Sequence, residues 1–151
     1  MGGTRHVRQL VAIALTVLCL SADAQQVVEA PPRFVADVTL ASADDFLALL
    51  QRAEQLLLQD SSLSGGQAEV SFVLHGPVLN NLLQANYLQN KELADTAASL
   101  SALQVIELKA CRTGMGLHGI SEDELLPFVE PVDFWGATLE EMVEEEGRLY
   151  F

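Results

Sequence analysis

Cys111, His75 and His118 are the side chains of this 151-residue sequence whose types invite chemistry. A thiolate is a nucleophile and a metal ligand. Lys109 and Arg112 flank Cys111 and would favour that form. His75 ends the apolar run "EVSFVLHG" (69–76), where an imidazole can bond a thiolate or orient a bound group. Each residue also has a plain reading. Free cysteine is among the most buried residue types, so Cys111 could be a packed thiol. His75 could bond backbone at a strand end, and His118 could be a solvated turn residue. Two histidines and one cysteine without close spacing make a weak metal signature, so no metal and no cofactor are expected.

Gly114, Gly116 and Gly119 follow Cys111 and spell G-x-G-x-x-G. After a strand this pattern can cradle a pyrophosphate. Here it comes near the end of the chain instead of opening the first βαβ unit. Glu122, Asp123 and Glu124 crowd the next helix start, where like charge opposes a phosphate. A turn permitted by glycine is the better reading. The acidic run "EEMVEEE" (140–146) reads as the wet face of a helix, and Trp135 as core or interface packing.

These residues belong to a chain that looks exported. Arg5 and Arg8 precede an apolar run from Leu10 to Leu20, and Ala22-Asp23-Ala24 offers small residues for cleavage. As a helix that run spans roughly 16 Å, at about 1.5 Å per residue. A membrane span needs about 20 apolar residues. Residues 1–24 therefore read as a cleaved secretory signal, placing the chain in the periplasm or outside the cell with no stable membrane insertion. Residues 25–32 read as an extended leader, because Pro31-Pro32 excludes helix. The domain is 33–151, long enough for one core.

Cleavage removes Cys19 and leaves Cys111 alone, so no intramolecular disulfide can form. The formal net charge of the whole chain is −13, and losing Arg5, Arg8 and Asp23 makes it one unit more negative. Such a surface repels phosphate backbones and anionic membranes, so nucleic acid is excluded as a partner.

The positioning elements follow from periodicity. "RFVADVTL" (33–40) alternates as a half-buried strand. Ser42 caps a helix carrying Phe46, Leu49, Leu50, Ala53, Leu56 and Leu57 on one stripe, broken by Gly65-Gly66. "EVSFVLHG" is a strand covered on both faces. A short helix after Gly76-Pro77 and a second over Asn90–Leu100 follow, and "QVIELKA" (104–110) is the third strand. Strand parity puts Glu107, Lys109 and Cys111 on a face unlike plain core. Ser121–Glu124 is a capping box. "EPVDFW" (130–135) is a fourth strand. Thr138–Glu141 opens a helix to Gly147, and "RLYF" (148–151) is a final edge strand. Alternating strands and helices predict a mostly parallel α/β sheet with helices on both faces, with ligands beyond the strands' carboxyl ends.

"VSFVLHGPVLNNLL" (70–83), "LQVIELKACRTGMGLHGISEDELLPFVEPV" (103–132) and "EEEGRLYF" (144–151) together resemble the DsrE/DsrF-like sulfur-relay family. The likeness runs from about Arg33 to Phe151. The Cys111–Ile120 spacing, Asp123–Val129 and Gly147–Phe151 are its most specific pieces. The resemblance implies a three-layer, flavodoxin-like fold, often assembled into trimers or hexamers. It implies that Cys111 matches the cysteine that carries sulfur as a persulfide in sulfurtransferase members, with sulfur donor and acceptor proteins as partners. Those members generally work in the cytoplasm, whereas this chain carries an export signal. The expected function is exported sulfur handling through Cys111, as a persulfide carrier or sulfurtransferase, with His75 orienting. The alternative is a non-catalytic oligomeric binding module with a structural cysteine.

Overall fold

The computed structural model describes residues 32–59 and 70–151. The expected signal segment, the leader up to Pro31, the Gly65-Gly66 break and the side chains of Leu56 and Leu57 lie outside the described residues. Among the described residues, five strands form one sheet in the order β4-β3-β2-β1-β5. They are β1 (Phe34–Val38), β2 (Val70–Leu74), β3 (Ile106–Cys111), β4 (Val129–Val132) and β5 (Leu149–Tyr150). All pairings are parallel, so the sheet is wholly rather than mostly parallel.

The layers follow from the direction of the crossovers. From β1 to β4 each connection steps one strand the same way, and the last returns across the whole sheet to β5. Right-handed crossovers put connections of opposite direction on opposite faces. Helix α1 (Ala43–Gln59), a 3-10 segment (Pro77–Leu82), α2 (Lys91–Ala102) and α3 (Arg112–His118) therefore share one face. There Ala36, Val38, Phe72, Leu74, Leu108 and Ala110 pack against Phe46, Leu50, Ala53, Leu93, Ala97 and Met115. Helix α4 (Trp135–Glu140), continuing as a wider π turn over Glu141–Glu145, covers the other face. Its cluster is smaller: Val35, Val73, Leu139 and Met142, with Trp135 and Val143 at its margin. This is the three-layer α/β arrangement expected.

Three local expectations change. The glycine-rich stretch after Cys111 is helical, forming α3, with Cys111 at φ −69°, ψ 118° as its N-terminal cap residue. The fourth strand stops at Val132, and the next helix begins at Trp135 instead of Thr138. Thr138 lies inside that helix, where its hydroxyl donates back to the Phe134 carbonyl at 3.0 Å. Such back-bonding satisfies a threonine within a helix without any cap. The box at Ser121 does form: Ser121 N donates to Glu124 Oε2 at 2.7 Å, opening a 3-10 turn over Glu122–Glu124.

Candidate functional site at the carboxyl edge of the sheet

β2 and β3 pair as far as Leu74 opposite Ala110, and His75 and Cys111 are the next residues along the two chains. Both side chains belong to the α4 face, by alternation from Val73 and from Lys109. Asp37 of β1 shares that face, opposite Val73. Three chemically capable residues thus line up across three adjacent strands at their carboxyl ends.

The histidine is held from three directions. Its backbone N–H donates to Val38 O at 3.0 Å. Its Nε2 bonds Asp37 Oδ1. Its ring stacks on Trp135 with centroids 4.6 Å apart and planes 9° apart. Trp135 is half-buried and serves this stack as well as the small core. The side chains of His75 and Asp37 are 19% and 38% exposed, so the pair borders solvent. No hydrogen bond joins His75 to Cys111 among the described residues.

Cys111 is fully buried. The strand-parity expectation of a thiol off the plain core face does not extend to exposure, because Cys111 is 0% exposed. The flanking cations are also engaged elsewhere. Lys109 Nζ lies 2.9 Å from Glu130 and 3.5 Å from Glu107. Arg112 donates to Glu122 Oε1 and to Asp133 Oδ1, each at 2.6 Å. Those two carboxylates raise the guanidinium's pKa, and the Arg112 bonds in turn hold the Glu122 carboxyl below its usual range. Arg112 therefore bridges the ends of β3 and β4, between which the connections leave for opposite faces. That is the place where open α/β sheets put ligands.

The three glycines have separate roles. An added Cβ at Gly114 would sit 3.4 Å from His75 Cβ, Gly76 N and Leu79 Cδ1, so α3 packs closely on the end of β2. Gly116 has open space, and Gly119 takes φ +67° as the left-handed cap of α3. None of these features makes a pyrophosphate cradle. His118 is exposed in the last turn of α3. Among the described residues no three of His, Cys, Asp and Glu converge as a metal site. No described helix is long and apolar enough to cross a membrane.

The chain shares its fold with a solved protein of unknown function. That protein is MTH1491 from Methanobacterium thermoautotrophicum, with a TM-score of 0.62 and 18% sequence identity. The match covers 80% of this chain and 98% of the other. It is evidence for the parallel-sheet α/β fold alone. No family model matches the chain, and no curated protein matches it.

Sequence reasoning missed Asp37, which reads as the solvent side of an alternating strand. It also missed Arg148. This residue is only 6% exposed and donates to Glu146 at 2.8 Å and to the Ser71 hydroxyl. Its second terminal nitrogen lies 3.0 Å from Glu107. An arginine between Gly147 and Leu149 carries no pattern that marks it as buried. A groove of about 450 Å³ borders this network, lined by Lys109, Arg112, Glu130, Asp133 and Glu146 among others.

Proposed function

We propose that the chain is an exported DsrE-like protein that handles sulfur through Cys111, acting as a persulfide carrier or sulfurtransferase. One observation supports this reading: Cys111 ends β3 at the carboxyl edge of the sheet, one residue past the Ala110–Leu74 pair that His75 follows on β2. The thiolate attacks the outer sulfur of a donor persulfide, the donor's S–S bond breaks, and the donor leaves as a thiol. The sulfur then passes to an acceptor thiol by the same exchange. The donor and acceptor would be partner proteins, and assembly into trimers or hexamers belongs to the same reading.

The test is intact mass of the full chain after polysulfide treatment, beside Cys111→Ser. The reading requires a gain of one sulfur atom that the variant lacks. Without that gain at neutral pH, the reading falls.

A second reading, a non-catalytic oligomeric binding module with a structural cysteine, is favoured by the full burial of Cys111. It requires that Cys111→Ser leave assembly unchanged by light scattering while wild type takes up no sulfur.

A further inference from the structure

We infer that a notch beside the carboxyl half of β1 is a binding site for a small molecule with an apolar body and one carboxylate, which Arg52 holds. The inference is independent of the sulfur-handling reading, because β2 separates this notch from Cys111 on β3.

The notch exists because β5 is shorter than β1. β1 pairs with β2 from Phe34 to Val38, but β5 pairs only with Phe34 and Val35. Beyond those pairs Phe151 N donates to Val35 O at 2.9 Å. Val38 O accepts from His75 N on the β2 side, so by alternation the carbonyls of Val35 and Asp37 face the other way. The backbone of Asp37 therefore opens onto the notch, with no strand beside it among the described residues. The Asp37 carboxylate is turned to His75 instead.

The space left is about 600 Å³, within the range of small-molecule sites. Its walls are mainly apolar. Ala36, Val38 and Leu40 line it from β1 and its extension, Ala48 and Leu49 from α1, and Phe151 from the segment after β5.

Arg52 of α1 also lines the notch and lies over the Phe151 ring, 5.4 Å from its centroid. A guanidinium held against an aromatic ring still offers its planar fork of N–H donors to a carboxylate. Arg33, Lys91, Lys109, Arg112 and Arg148 each pair with a carboxylate, and Arg52 is the one described lysine or arginine that does not. The sequence gives the reason: Ala48, Leu49, Gln55 and Leu56, three and four positions away on the helix, carry no charge. In a chain with 21 acidic residues and a formal net charge of −13, a cation left over beside an apolar cavity suits an anionic ligand. Asp45 lines the notch about two turns earlier on α1, roughly 10 Å along the helix at about 1.5 Å per residue. It repels a carboxylate from that end. The head group therefore goes to Arg52, the body runs along β1 toward Leu40, and a second acid group is disfavoured.

The probe is octanoate, with octanol as a body of the same length without the charge. The ¹⁵N-labelled full chain is titrated with each and followed by its amide shifts. Octanoate should bind saturably and move amides within 36–40, 48–52 and 150–151. Octanol should bind about 10-fold more weakly, the lower end of what a hydrogen bond between charged groups contributes. Arg52→Gln should weaken octanoate to the level of octanol and leave octanol unchanged, while Arg52→Lys should keep a preference for octanoate. Ala48→Trp should fill the notch and abolish binding of both. Arg52 and Ala48 are exposed, so these variants are expected to fold. Shifts that do not saturate or that spread over other surfaces overturn the site. So do equal affinities for octanoate and octanol, octanoate binding unchanged in Arg52→Gln, and octanoate binding that survives Ala48→Trp.

Discussion

The Arg148 guanidinium meets the Glu107 carboxylate at 3.0 Å across the face of the sheet, joining the segment before β5 to the middle of β3. Its remaining nitrogens bond Ser71 and Glu146, so a buried cation has a partner at each donor group. Arg148 N also donates to Met142 O at 2.9 Å, within the wider π turn. The network ties down the chain that delivers Phe151, whose ring packs edge-on against Phe72 and Phe34. Arg148→Met removes the charge but keeps much of the volume, and it leaves Glu107 and Ser71 without their partner. Breaking a buried pair from one side costs about 3 kcal/mol. Urea unfolding should show a loss of that size. A loss well under 1 kcal/mol would mean the network adds nothing net.

Glu107 makes acid stability a second readout of the same network. Burial pushes its carboxyl up, but the Ser71 hydroxyl bond and the charges of Lys109 and Arg148 outweigh this and hold it below 4.5. A carboxyl depressed in the folded state contributes stability that is complete above its unfolded value. That contribution is lost as pH falls through the folded value. Unfolding free energy should therefore drop as pH falls below about 4.5, and Glu107→Gln should flatten that drop. Parallel pH profiles for the two proteins would show that Glu107 has no part in it.

The glycines of the G-x-G-x-x-G pattern predict opposite signs. Gly116 sits inside α3 with open space around it, so Gly116→Ala should stabilise by up to about 1 kcal/mol through helix propensity. Gly119 caps that helix at φ +67°, where a Cβ is strained, so Gly119→Ala should cost about 1 kcal/mol. Gly114→Leu should cost about 1–3 kcal/mol by overpacking against His75 and Leu79. Thermal melts of the three variants decide this, and equal shifts would refute the division of roles.

The strands were legible because their signal is local: β1 alternates, β2 is apolar but for Ser71, and both fall within two residues of expectation. The misplaced pieces depend on what lies across the sheet. Alternation assigns Asp37 and Cys111 to the second face but does not say how far that face is covered. The cover is α4, set by a return crossover spanning the whole sheet. On that face Cys111 is buried, while Asp37 bonds His75 and remains partly open. The start of α4 departs from its local pattern for a related reason. Thr138-Leu-Glu-Glu fits a capping box, but Phe134 already adopts extended φ −141°, ψ 125° as the residue before the helix. The helix there seats Trp135 on His75, a contact between residues 60 positions apart that no local pattern encodes.

Full burial of Cys111 makes its reactivity a measure of local opening. A reagent reaches the thiol only when the structure around the end of β3 opens, and Arg112, next in the chain, ties that end to Glu122 and Asp133. Local openings of a few kcal/mol are ordinary below the global unfolding limit, and about 3 kcal/mol slows a reaction about 100-fold. Iodoacetamide labelling of the native chain should be slower than labelling in urea by about that factor. Arg112→Ala should speed native labelling a few-fold, the small effect expected of exposed ion pairs. High salt should act in the same direction by screening them. A wild-type thiol that labels as fast folded as unfolded would show Cys111 open in solution, and the bridging role of Arg112 would fall with it.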